Sequence, residues 1–235
     1  MRILIIGGTH FLGRQLVESA LARSHDVTLF NRGKSNPGLF PQLETIIGDR
    51  EKDVEKLKDR IWDAVIDTSG YFPRIVRLSA EVLEPTVSRY VFISSISVYD
   101  NFSKVGINEM DPVGKIENET VEEITGETYG PLKALCEQTV QDIFGLDRTL
   151  IVRPGLIVGP HDPTDRFTYW PVRVARGGDV LAPEKPEAAI QIIDVRDLSD
   201  FIIKLIQDNA FGVYNATGPD YELTLGRLLE VSKQV

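Results

Sequence analysis

The run Ile3-Leu4-Ile5-Ile6-Gly7-Gly8-Thr9-His10-Phe11-Leu12-Gly13 decides the fold. Four apolar residues in a row read as a strand buried on both faces. The glycines end it in a turn that feeds straight into helical spacing. Leu12, Leu16 and Ala20 recur at i, i+4 and i+8, and Val17 and Leu21 widen the buried stripe over Phe11–Ala22. A glycine-rich turn between strand and helix lets backbone N–H groups face a pyrophosphate, and the helix dipole adds favourable partial charge. Gly7, Gly8, Thr9, His10, Phe11, Leu12 and Gly13 are therefore candidate dinucleotide contacts. His10 stands where such turns usually carry a third glycine for close backbone approach, so altered pyrophosphate contact is expected there.

Outward from this turn, apolar strand-like runs at residues 27–30, 45–47, 64–66, 90–93 and 150–152 alternate with helical stretches. A second helix starts at Pro73, a residue suited to a first turn, and stops before Pro85. Another covers residues 129–144, and a fourth residues 194–207, where Asp194 can cap and Val195, Leu198, Ile202, Leu205 and Ile206 share a face. This alternation predicts an α/β fold with a doubly wound parallel sheet and right-handed crossovers. Residues 212–215 read as a short returning strand. Residues 224–235 have helical spacing at Leu225, Leu228, Leu229 and Val231, but no stop signal before the chain ends, which reads as a truncated chain. The expected division is a dinucleotide-binding domain at 1–160. Residues 161–235 would hold substrate-lobe segments plus the returning strand and helix, incomplete at the C-terminus.

At 235 residues the chain can bury a sizeable core, roughly 70% of its unfolded surface. A single Cys136 forbids an internal disulfide, and the apolar run before the glycines is too short for a leader or membrane span. The expectation is a cytoplasmic protein with no membrane partner. A net charge of −9 opposes adhesion to nucleic acid. None of His10, His25 or His161 has a nucleophile-elbow partner, which argues against a serine hydrolase. Scattered histidines and one cysteine give no metal site.

After the second strand comes Phe30-Asn31-Arg32-Gly33-Lys34, with no carboxylate to accept ribose hydroxyls. Arg32 and Lys34, with Asn31 beside them, instead offer donors and positive charge to a 2′-phosphate, which favours NADP over NAD. Asp49, the run Thr68-Ser69-Gly70, Ser94 and Pro154 fall at the C-terminal ends of later strands, where this architecture binds its ligands. For Asp49 and residues 68–70, ordinary turn chemistry is the competing explanation.

Tyr129 and Lys133 lie four residues apart, so on a helix both project from one face. The ammonium would then favour the phenolate. Bringing a tyrosine from about 10 to near 7 takes roughly 4 kcal/mol, much of which a nearby cation in a partly dry cleft can supply. Lys133 would also donate to ribose. Ser95 follows the fifth strand, where its hydroxyl can orient a reacting oxygen while Tyr129 gains or loses a proton. The polar stretch 97–128 separates the two, and a connection of about 30 residues usually serves a site.

On these residues the chain resembles the extended short-chain dehydrogenase/reductases, specifically the NAD(P)-dependent epimerase/dehydratase family, over nearly its whole length. Beyond the glycine turn, the likeness is carried by residues 92–99, by Tyr129-Gly130-Pro131-Leu132-Lys133 with Glu137, and by Arg153-Pro154-Gly155 through Gly159-Pro160. Residues 193–198 and Val213-Tyr214-Asn215 complete it, all in family order. The resemblance implies a catalytic trio of Ser95, Tyr129 and Lys133, a nicotinamide across the strand ends, and often a sugar nucleotide as substrate. It also implies a homodimer through two helices, here 73–84 and 129–144. The Gly7-Gly8-Thr9 opening with Asn31-Arg32-Gly33-Lys34 looks closer to an atypical branch that includes chloroplast stem-loop RNA-binding proteins. Epimerase, dehydratase and reductase share this proton and hydride machinery, so all three stay open. The alternative is a non-catalytic cofactor-binding module that binds RNA or senses redox state.

Overall fold

The computed structural model describes residues 1–183 and 185–234. Among them the strands are β1 (Arg2–Ile6), β2 (Asp26–Asn31), β3 (Glu44–Ile47), β4 (Ala64–Asp67), β5 (Tyr90–Ile93), β6 (Thr149–Pro154), β7 (Ile157–Val158), β8 (Ile193–Asp194) and β9 (Gly212–Ala216). The helices are α1 (Phe11–Ala22), α2 (Pro73–Leu83), α3 (Tyr129–Phe144), α4 (Tyr169–Ala175), α5 (Val195–Gln207) and α6 (Leu225–Ser232).

Seven strands form one parallel sheet in the order β3-β2-β1-β4-β5-β6-β9. Side chains of a strand alternate between its faces, and here both faces are covered, which is why β1 is apolar throughout its interior. Ile3 and Ile5 join Leu16 and Val17 of α1 and Leu198 and Ile202 of α5. Leu4 and Ile6 join Val76 and Leu83 of α2 and Val140 and Phe144 of α3. The chain steps from β1 outward to β2 and β3, then returns to place β4 on β1's other side. That reversal opens a crevice at the C-terminal ends of the strands.

Apart from the last helix, the expected elements occur within a residue or two of their expected ends. Asp194 accepts from the Arg196 N–H and Thr224 from the Arg227 N–H, so both helices start at side-chain caps. The expected helix over 224–235 ends at Ser232, and Val235 lies outside the described residues. The small pair β7–β8 and the helix α4 were not expected. Two-residue strands carry no readable period, and α4 buries none of its residues. Within the described residues, no helix is long and apolar enough to cross a membrane, and no three His, Cys, Asp or Glu side chains gather to hold a metal ion.

Beneath the crevice lies a buried charge network. Asp67, at the end of β4, is wholly buried, and Arg50 donates to it from Nη1 at 2.8 Å and also from Nη2. The Tyr90 hydroxyl donates to the same carboxylate at 2.7 Å, and Ser79 Oγ accepts from Arg50. Burial pushes the Asp67 carboxyl up, but the Arg50 charge, its hydrogen bonds and the Tyr90 hydroxyl outweigh that and hold it below the usual carboxylate range.

Asp67→Asn leaves the Arg50 guanidinium buried without its counter-charge, and should cost about 3–5 kcal/mol of unfolding free energy in urea at pH 7. Because the carboxyl is held down in the folded state, its contribution is present above the unfolded value of about 3.9 and fades as pH falls through the folded one. The gap between variant and wild type should therefore narrow under acid. A loss below about 1 kcal/mol at pH 7 would show that the network is not the floor's support.

Candidate active site

A cleft of about 900 Å³ runs along the C-terminal ends of the strands. Its narrow end is built by backbone. Gly7 and Gly8 have φ of +114° and +93°, and a Cβ added to Gly13 would sit 2.7 Å from the Gly8 nitrogen. Only glycine lets β1 turn this sharply and lets α1 begin against the turn. His10 is the N-cap residue of α1 and makes no side-chain capping hydrogen bond. Its φ of −137° is ordinary extended backbone, so the turn itself tolerates a side chain here. What the family's middle glycine provides is close ligand approach, and the exposed His10 changes only that. An uncapped helix start beside a glycine cradle suits an anion, which fits a dinucleotide pyrophosphate.

Most of the residues expected at the cofactor end line this cleft: Gly7, Gly8, Thr9, His10, Phe11, Leu12, Gly13, Asn31, Arg32, Lys34, Asp49, Thr68, Ser69, Ser94, Tyr129, Lys133 and Pro154. Gly70 does not. It packs beneath Phe92 and Val76, and its carbonyl accepts from Lys133, so its part is to hold the lysine. Several wall residues also spend their polar groups on the fold. Asn31 donates to the Gly7 carbonyl and accepts from the Gly33 N–H, Thr68 donates to the Ile6 carbonyl, and Asp49 accepts from the Glu51 N–H. Arg32 and Lys34 form no ion pair among the described residues. Ser94 Oγ is buried on the cleft wall without a hydrogen-bond partner among the described residues, which fits a polar group of a bound ligand.

The other end is set by one contact. A Cβ on Gly130 would lie 2.0 Å from the Ser97 carbonyl oxygen, so the first turn of α3 presses directly on the loop that follows β5. That brings Tyr129 beside Ser95. Ser95 Oγ accepts from the Ser97 N–H at 3.1 Å, which fixes the hydroxyl. Burial, then the neighbouring Tyr71, push the Tyr129 phenol above its ordinary value, while the Ser95 hydroxyl and Arg166 pull it back without prevailing. Glu137 and Arg153 form a buried pair, joined by the Tyr99 hydroxyl, that ties α3 to β6.

Lys133 departs from expectation. Its ammonium donates to the carbonyls of Gly70 at 2.8 Å and Ile93 at 2.6 Å and lies 4.3 Å from the centre of the Phe92 ring. Lys133 is not among the groups that shift the Tyr129 phenol, and two of its three N–H groups are engaged by these carbonyls. Burial pulls Lys133 down to about 8, with Cys136, Asp67 and Glu137 opposing. Residues that sequence did not single out also line the cleft, notably Tyr71, Asp162, Thr164 and Arg166. The last three sit in a loop with no periodicity, and nothing in their order announces them.

The profile of the NAD dependent epimerase/dehydratase family matches residues 3–217. The chain belongs to that family. Among curated relatives, the chloroplast stem-loop binding protein of 41 kDa b from Arabidopsis thaliana is 26% identical over 94% of this chain and 59% of its own length. The UDP-glucose 4-epimerase of Neisseria meningitidis serogroup A is 28% identical over 62% of this chain and 49% of its own length. The chain thus spans about half to three-fifths of these relatives. The UDP-glucuronic acid 4-epimerase of Bacillus cereus, solved with NAD, superposes with a TM-score of 0.79 at 16% identity, covering 100% of this chain and 82% of that one, a likeness of fold.

Lysine-selective 15N NMR should find one amine, absent in Lys133→Met, that titrates near pH 8. If every lysine titrates above about 10, the ordinary range, the ammonium is not buried as described.

Proposed function

We propose that this chain carries the catalytic centre of a nicotinamide-dependent sugar-nucleotide epimerase or dehydratase. The observation that carries the reading is the meeting of Ser95 and Tyr129 in the cleft whose other end is the glycine cradle. When bound, the nicotinamide supplies a reversible acceptor for hydride. Tyr129 Oη takes the proton of a substrate hydroxyl as the carbon beneath it is oxidised, and returns it on reduction. The Ser95 hydroxyl hydrogen-bonds that same oxygen and orients it. Lys133 Nζ, held by two carbonyls at the cleft wall, keeps a third N–H as a donor to ribose.

The unpaired Arg32 and Lys34 support a preference for NADP over NAD, since guanidinium binds phosphate bidentately. Association of two chains through α2 and α3, which lie side by side on one face of the sheet, belongs to the same proposal. The stem-loop binding relative covers more of this chain than the epimerase does, and so supports an RNA-binding reading. The charge of −9 and the assembled Ser95 and Tyr129 favour chemistry.

With UDP-glucose as the test substrate, Tyr129→Phe should cut turnover by about 10²-fold or more while cofactor affinity stays within a few fold. Wild-type turnover in that variant would remove Tyr129 from the mechanism. Calorimetric titration should find NADPH bound more tightly than NADH, with the preference lost in Arg32→Ala. Equal affinities in the unaltered protein would overturn the NADP assignment.

A further inference from the structure

The buried Asp67 carboxylate is bound to both of the segments whose carbonyls hold Lys133. Lys133 Nζ donates to the Gly70 carbonyl, in the segment after β4, and to the Ile93 carbonyl at the end of β5. Asp67 reaches the first segment through Oδ1, which accepts from the Ser69 N–H at 3.0 Å, next in the chain to Gly70. It reaches the second through Oδ2, which accepts from Tyr90 Oη at 2.7 Å, on the same strand as Ile93. Phe92 fills the space between. A Cβ on Gly70 would lie 2.5 Å from Phe92 Cε2 and 3.1 Å from Asp67 Oδ2, and the Phe92 ring centre lies 4.3 Å from Lys133 Nζ. Asp67 and Phe92 are also register partners across β4 and β5. A carboxylate that moved would therefore carry the turn, and the Gly70 carbonyl, with it. Neutralising Arg50 does not by itself call for such an arrangement. A carboxylate offers about four acceptor sites, and Asp67 fills them with Arg50 Nη1 and Nη2, the Tyr90 hydroxyl and the Ser69 N–H. A buried network satisfied in this way is held in one orientation.

We propose that Asp67 is a positioning residue for Lys133: its hydrogen bonds to Ser69 and Tyr90 set the two carbonyls that hold the ammonium at the cleft wall with one N–H free. This rests on the proposed role of Lys133 as a donor to the cofactor's ribose. The charged and titratable groups around the ammonium are Asp67 from β4, Arg50 from the segment after β3, Tyr71 from the segment before α2, and Cys136 and Glu137 of α3. Burial lowers the amine to about 8 against the pull of Cys136, Asp67 and Glu137, and Arg50 adds to the lowering. Asp67 and Arg50 thus act on Lys133 with opposite sign. Neutralising both together removes opposed charges and leaves the hydrogen-bond geometry to be read by itself.

Two double variants of the full chain test this, Arg50→Met with Asp67→Asn and Arg50→Met with Asp67→Val. They carry the same charge and differ in whether residue 67 can accept a hydrogen bond. Lysine-selective 15N NMR follows the Lys133 amine in each, with Lys133→Met as the blank. In the Asn form the side-chain carbonyl still accepts from the Ser69 N–H, so the amine should titrate within about half a pH unit of wild type. In the Val form the Gly70 carbonyl is no longer fixed on the ammonium, and the amine should titrate about one unit lower. NADPH affinity at pH 7 should follow, weakened about fivefold or more in the Val form and restored in the Asn form. Equal titration in the two forms, or a higher one in the Val form, overturns the inference, since packing and charge would then account for Asp67. If the Val form does not fold, the unaltered protein decides. Its Ser69 amide signal should shift with the midpoint of the Lys133 amine, and an amide indifferent to that midpoint overturns the inference. If wild type does not bind NADPH, the proposed function fails separately, and the lysine titration alone decides whether Asp67 positions Lys133.

Discussion

The contact between Gly13 and Gly8 is the constraint on which the rest depends. With 2.7 Å between a hypothetical Gly13 Cβ and the Gly8 nitrogen, any side chain there would drive α1 away from the end of β1. The helix start would leave the crevice, and the cleft would lose its floor of backbone donors. Position 10 shows the limit of that constraint. His10 lies in extended backbone, so a side chain is admitted where only ligand approach, and not chain geometry, calls for glycine.

A second close approach, Gly130 on the Ser97 carbonyl, fixes the opposite end. Between the two contacts the molecule carries charge in places where charge is costly. Arg50 and Asp67 neutralise one another under the floor, and Glu137 and Arg153 do so behind α3. Lys133 has only carbonyl hydrogen-bond partners, and burial lowers its affinity for a proton. A buried ammonium with one of its three N–H groups still free is a feature expected of a site rather than of a core. Its two carbonyl contacts come from the segment after β4 and from the last residue of β5, so the lysine also ties α3 to the strand ends where the cleft lies.

The fold was legible because buried parallel strands are apolar without interruption, as in β1 and β5, and because the helices over them keep strict spacing. The glycine turn and the Tyr129 and Lys133 pair were legible for the same reason, since each is a short-range pattern on a known element. What was hidden depends on contacts between distant segments. Tyr129 and Lys133 share a helix face, yet spacing alone does not reveal that carbonyls from Gly70 and Ile93 claim the ammonium. Gly70 looked like a cofactor contact because it follows a strand, and only the folded chain shows that it packs against Phe92 and Val76 outside the cleft lining. Arg166 sits in an aperiodic loop, where no local rule assigns a direction to its side chain.

A crystal structure of the chain with NADPH bound tests the central claim most directly. It should show the pyrophosphate against the Gly7 to Gly13 turn and the nicotinamide ring flanked by Tyr129 and Ser95. A dinucleotide bound elsewhere, or a ring directed away from Tyr129, would contradict the arrangement on which the chemistry rests.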